Sequence, residues 1–183
     1  MSMRRISLGR RLLAIAVAAG TAVAGCRSPA GPVDDGSPPI RTAAASYALR
    51  VDARGVEVEI PYEFTNRTTR PIYMVRCIAP HHRLEKLVDG VWVLALDPPR
   101  FGCLGRPIRV DPQWRFATTM AVFGGAADCS CGPVFEVDDP TGTFRIVIDG
   151  VVFDYDDRGP PWGVPLALDQ RVSNPFTLRA PDG

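Results

Sequence analysis

The chain has 183 residues, 46% of them hydrophobic and 22% charged, and its 21 basic groups nearly balance its 20 acidic ones at a net charge of +1. That balance excludes a polycationic nucleic-acid binder and a charged tail protein. With 17 Gly and 18 Pro, turns and short strands are favoured over long helices, so an all-β domain is expected.

At the start, Arg4, Arg5, Arg10 and Arg11 precede an apolar run over residues 12–23 that ends in small residues at Ala24 and Gly25. This order is that of a secretory signal, and the run falls short of the roughly 20 apolar residues a membrane-crossing helix needs. Val23-Ala24-Gly25-Cys26 resembles the lipobox of bacterial lipoproteins. The resemblance implies cleavage of residues 1–25 and lipidation of Cys26, and several acyl chains would hold the protein on a membrane at about 0.8 kcal/mol per buried methylene. Gly9-Arg10-Arg11-Leu12-Leu13 lacks the polar residue before, and the Phe after, the arginines of a twin-arginine signal. Arg27 stands where an Asp would resemble an inner-membrane retention signal, so the outer membrane is the expected destination in a Gram-negative envelope. The four signal arginines have no acidic counterpart, which leaves 17 basic against 20 acidic groups in the mature chain.

Residues 27–45 contain four prolines and few large apolar side chains, too little to offset the entropy of ordering them. With Cys26 they are expected to form a lipidated tether over 26–45, leaving one domain over 46–183. In that domain Val56, Val58, Ile60, Tyr62 and Phe64 alternate with polar residues, which predicts a strand with one buried and one acidic face. Pro61, on the outer face without an N–H, predicts a sheet edge or bulge there. Shorter strands are expected at 46–52 and 71–77. Asp89-Gly90 between 84–88 and 91–96 predicts a tight hairpin. Further strands are expected at 108–110, 114–123, 144–148, 151–155 after a second turn at Asp149-Gly150, and 176–179. About nine short strands without a helical period point to an antiparallel sandwich or barrel. Asn66 is assigned to a turn and Trp92 to the core.

Tyr62-Glu63-Phe64-Thr65-Asn66-Arg67-Thr68, Pro71-Ile72-Tyr73, Leu84-Glu85-Lys86-Leu87-Val88-Asp89-Gly90-Val91-Trp92, Gly142-Thr143-Phe144-Arg145 and Ser173-Asn174-Pro175-Phe176 carry a resemblance to small immunoglobulin-like bacterial secreted or lipid-anchored proteins. It spans most of 46–183 and implies an immunoglobulin-like antiparallel β-sandwich, while the order of these segments is also similar to the BsuPI-type proteinase-inhibitor domain. These segments mark a fold and leave activity open.

Besides Cys26, the cysteines are Cys77, Cys103, Cys129 and Cys131, an even number in an exported domain, where disulfides persist. They allow three connectivities. The resemblance implies Cys77 with Cys103, a loop whose closure is worth roughly 3 kcal/mol. For Cys129 and Cys131 a mutual bond needs a sharp bend, which Gly124-Gly125 and Gly132-Pro133 permit, and a crossed arrangement or free thiols stay open. Were they reduced, Cys129, Cys131, His81 and His82 would form a thiolate and imidazole set suited to zinc or Cu(I), with Met74 and Met120 as soft neighbours. Asp154-Tyr155-Asp156-Asp157-Arg158-Gly159 begins like a calcium loop, but Pro165 stands at the twelfth position where a Glu is needed.

No nucleophile, base and orienting group form a recognisable set, and only His81 and His82 offer an imidazole. The expectation is therefore no enzyme, no resident metal or cofactor and no nucleic-acid partner. A lipid-anchored envelope module for binding or structure leads, with a proteinase-inhibitor-like domain and envelope metal binding as alternatives. The segment 156–171 is a long Pro-rich stretch before the last strand, and Trp162 with Pro161 and Leu166 is the candidate partner-binding set, to meet an unknown protein or envelope ligand. Lidding of the sandwich by Trp162 and Leu166 is the competing role.

Overall fold

The computed structural model describes residues 36–52, 55–75, 81–98, 106–125, 133–158 and 162–181. Cys26, Cys77, Cys103, Cys129, Cys131 and Pro161 lie outside them, and so do the expected lipidation and disulfides. Among the described residues thirteen strands follow in chain order: β1 (Ile40–Thr42), β2 (Ser46–Ala48), β3 (Arg50–Asp52), β4 (Gly55–Thr65), β5 (Ile72–Met74), β6 (His81–Val88), β7 (Val91–Leu96), β8 (Ile108–Val110), β9 (Arg115–Gly124), β10 (Gly142–Asp149), β11 (Val151–Phe153), β12 (Val164–Pro165) and β13 (Phe176–Arg179). A single 3-10 turn, Leu168–Gln170, is the helical element among the described residues.

The strands make three sheets. In the first, β4 pairs with β9 on one side and with β1 and β3 in succession on the other. The second runs β2-β13-β10-β6-β7, antiparallel except for the parallel β2 and β13 pair. The third runs β12-β11-β5-β8. Alternation along each strand turns one set of side chains inward. Val58, Ile60, Tyr62 and Phe64 from β4 and Met120 and Val122 from β9 meet Leu84, Phe144, Ile146, Phe176 and Leu178 from the second sheet in one core. The fold is an all-β sandwich.

Two expectations change. The tether does not reach residue 45: Ile40 is fully buried, β1 pairs with the end of β4, and Thr65 N–H donates to the Pro39 carbonyl at 2.8 Å. One large apolar side chain and a free strand edge on β4 outweigh the polar composition around them. Pro61 is at a local sheet edge, as expected: β9 pairs with it on one side, and on the other it falls in the gap between the residues paired with β1 and those paired with β3. Its missing N–H faces the β1 side, where Ala43 N–H donates to the Pro61 carbonyl at 2.9 Å and nothing can be donated back. β1 stops one residue earlier, at Thr42, and β3 takes up that side only at Arg50, opposite Glu57.

Asp149-Gly150 is not a hairpin. β10 pairs with β6 and β13, β11 pairs with β5 and β12, and the chain passes from the second sheet to the third at Gly150, whose φ is +67°. Asp89-Gly90 does form the expected turn, with both φ values positive at 50° and 82°.

Candidate functional site: a groove beside Trp162

At the crossing from β10 to β11, the backbone is pinned by Val75 N–H donating to the Gly150 carbonyl at 2.8 Å. A Cβ at Gly150 would lie 3.2 Å from that of Val75, so a larger residue here is opposed by both space and φ. Facing this corner, the segment after Trp162 returns as β12 against β11. Gly163 lets it approach: a Cβ there would lie 2.3 Å from the Phe153 carbonyl oxygen. Over these runs lies a groove of about 370 Å³ lined by Asp149, Gly150 and Val151 on one side, Trp162, Gly163 and Pro165 on the other, Val152 beneath, and Arg171 at the end.

Its floor is Val152. Because Val151 faces the core, Val152 faces outward, yet it is only 4% exposed, since the loop after Phe153 folds over it. Tyr73 points outward for the same reason, between the buried Ile72 and Met74, and is paired with Val152 across the sheet. Tyr73, Tyr155 and Trp162 form a half-buried row, with centroids 6.0 Å and 6.2 Å apart and the Tyr155 and Trp162 rings only 11° from parallel. Of the candidate binding set, Trp162 lines the groove, whereas Leu166 belongs to the core at 3% exposure. Leu166 N–H bonds the Val151 carbonyl at 2.9 Å, which turns its side chain inward and assigns it to packing.

Arg171 ties the groove to an ion network on the outer face of the second sheet. Its Nη1 donates to Asp149 Oδ1 at 2.7 Å and to the Ile148 carbonyl at 3.2 Å, and its Nε to the Leu166 carbonyl at 3.2 Å. Asp149 also accepts from Arg83, Arg83 reaches Glu85 at 3.0 Å, and Arg145 Nε donates to Glu85 Oε2 at 2.7 Å. The five side chains are between 11% and 23% exposed, so their charges are screened less than those of surface pairs. Burial opposes ionisation of Asp149, but hydrogen bonds and charge from Arg83 and Arg171 outweigh it and hold its carboxyl below the usual range. Burial likewise disfavours the charged Arg83, and its bonds to Asp149 and Glu85 more than compensate, raising its pKa. Val147, fully buried outside the main core, lies on the same face as these charges. Trp92 is not in the core as expected: it is half-exposed, with the Arg145 guanidinium 4.5 Å from its ring centroid.

The two histidines do not come together as a ligand pair. Adjacent on β6, they face opposite sides, His81 beside Asp149 and His82 toward the core, where its ring meets Tyr62 edge-on at 5.6 Å. His82 Nε2 and the Tyr62 hydroxyl are both buried without a hydrogen-bond partner. Burial, with a smaller contribution from the neighbouring His81, lowers the pKa of His82 to about 4, and burial raises that of Tyr62. Among the described residues no three His, Cys, Asp or Glu side chains are grouped to hold a metal.

Sequence reasoning did not find Arg83, Glu85, Arg145, Asp149 and Arg171. Their signal, opposite charges on one face of a strand at Arg83 and Glu85 and at Arg145 and Asp149, two and four residues apart, becomes readable only once the register sets Arg145 against Glu85. It also missed the apolar surface of the β6–β7 hairpin, where Leu87, Val88, Val91 and Leu94 are exposed. In comparison with known proteins, the chain matches no family model and no curated protein.

Proposed function

We propose that this chain is an exported, lipid-anchored envelope protein whose immunoglobulin-like sandwich is a non-catalytic binding module, with the groove beside Trp162 as its binding face. The observation that supports this best is the groove itself: an apolar floor at Val152, held in the third sheet, with an indole on the facing loop and a guanidinium fixed by Asp149 and two backbone carbonyls. The export and anchor rest on the arginines, apolar run and Cys26 of the first 26 residues. The non-catalytic reading draws on the carboxylates, since Glu85 and Asp149 are each engaged by two arginines, an arrangement that keeps a carboxylate ionised rather than poised for proton transfer.

Trp162→Ala tests the groove. A side chain used for recognition is removed with little loss of stability, so the melting temperature should fall by less than about 5 °C. A larger fall makes Trp162 a lid of the sandwich and overturns the binding role. Cys26→Ala tests the anchor: the protein should leave the membrane fraction, and its retention there would overturn lipidation.

A further inference from the structure

The groove's two ends differ chemically. Val152, Trp162 and Pro165 offer apolar contact, and Arg171 offers charge. Three of the four arginine-to-carboxylate contacts in the network are made by Arg83 and Arg145, leaving Arg171 with one carboxylate partner, Asp149. Among the described residues, three guanidinium groups there face two carboxylates, Glu85 and Asp149. Arg171 spends Nε and Nη1 on the Leu166 and Ile148 carbonyls and on Asp149, and its Nη2 makes no hydrogen bond among the described residues. Asp149 also lines the groove, but its carboxylate is shared between Arg83 and Arg171, so the unspent Arg171 donor beside the apolar lining is matched by a carboxylate next to an apolar group.

We propose that the groove takes a peptide segment of a partner protein in which an apolar side chain is followed by an Asp or Glu, the apolar side chain on Val152, Trp162 and Pro165 and the carboxylate on Arg171 Nη2. This rests on the binding role assigned above to the same groove. A volume of about 370 Å³ suits one or two side chains rather than a folded domain, so recognition is of a short motif. Because Arg171 is fixed by two backbone carbonyls and Asp149, the carboxylate meets a donor already in place, and little ordering cost falls on this protein.

The test is a titration of the full-length protein in detergent, followed by nuclear magnetic resonance at the indole N–H of Trp162 and the Nε–H of Arg171. Two probes are used, acetyl-Ala-Pro-Leu-Asp-Ala-amide and its Asn counterpart. The Asp peptide should shift both resonances saturably, and the Asn peptide should bind at least tenfold more weakly. Arg171→Gln should abolish that difference; should this variant fail to fold, the peptide pair alone decides. Equal affinity for the two peptides, or no shift with either, overturns the proposal. A shift with chitotetraose and neither peptide also overturns it and gives the groove to a glycan. Loss of the peptide result while Trp162→Ala stays stable removes this ligand class only, whereas a destabilised Trp162→Ala removes the binding role as well.

Discussion

The side-chain amide of Asn66 donates to the Val110 carbonyl at 2.8 Å, and this bond ties the end of β4 to β8 across 44 residues of sequence. The same nitrogen donates to the Arg70 carbonyl at 2.9 Å, and Oδ1 accepts from the Thr68 N–H and hydroxyl at 3.0 and 2.8 Å. Its main chain bonds Trp114 and Gln113, so a fully buried amide has every group satisfied. Asn66→Ala strands the buried Val110 carbonyl, leaves the Arg70 carbonyl to the Thr68 hydroxyl, and should cost about 2 kcal/mol in urea denaturation. Asn66→Asp keeps the bonds from Thr68 but loses both donors and buries a charge, and should be no better than Ala. A cost below about 1 kcal/mol in either variant would show that the turn holds without the amide.

Acid should weaken the fold before the carboxylates titrate. His82 has a pKa of about 4 in the folded chain against 6.5 when exposed. Above pH 6.5 both states hold it neutral and its contribution to stability does not change. Between pH 6.5 and 4 the unfolded chain takes up a proton that the folded one refuses, and stability falls by as much as roughly 3 kcal/mol across that window. Urea denaturation at pH 7.5, 6, 5 and 4.5 measures this, and His82→Phe should flatten the slope. An unchanged slope in that variant assigns the loss to other groups.

Tyr62 gives the opposite sign from most core substitutions. Its hydroxyl is buried and unpaired, so Tyr62→Phe removes an unmet hydrogen-bonding group while keeping the ring against His82. Stability should rise by about 1 kcal/mol, read as a higher urea midpoint at constant slope. A loss of stability would mean that the hydroxyl has a partner after all.

The domain needs the residues before 46. A chain begun at residue 46 lacks Ile40, the Pro39 carbonyl that accepts from Thr65, and the contacts of Thr42, whose N–H donates to Asn174 Oδ1 at 2.9 Å. Compared with a chain begun at residue 36, it should lose 2 kcal/mol or more, about the cost of emptying one large buried aliphatic site. Equal melting temperatures would restore the longer tether.

Glu85 is the central anion of its network. Glu85→Ala leaves Arg83 and Arg145 half-buried without it and should cost about 3 kcal/mol or more. Because these groups are shielded, 0.5 M NaCl should recover little of the loss. A cost under 1 kcal/mol would place Glu85 among ordinary surface pairs.

What could be read in advance follows the range of the forces involved. The alternation from Val56 to Phe64 needs only its own strand, and its buried set appears as expected. Asp89-Gly90 and Asp149-Gly150 are the same dipeptide, and only the first closes a hairpin. The choice at Asp149 is made by competitors far away in sequence, since β6 and β13 occupy both sides of β10 while β5 and β12 occupy both sides of β11. Trp162 was legible as a large aromatic in a Pro-rich loop. The guanidinium at the groove's end was not, because Arg171 meets Asp149 across 22 residues by way of the fold. Leu166 and Trp162, four residues apart in one loop, have opposite surroundings, and composition cannot separate them.

β10 and β11 are a single run of backbone with a bend at Gly150. Sheets of strands as short as β5, β8, β11 and β12, three residues or fewer each, do not hold their shape alone. The third sheet is therefore anchored by a strand whose other half is in the centre of the sandwich. Opening the groove wall at Val151 or Val152 would require tilting β10 against Phe144, Ile146 and Ile148, all fully buried. The wall is as stiff as the core, and in hydrogen exchange its amides should open only with global unfolding, while the opposite wall, on the loop of Trp162, is free to exchange on its own.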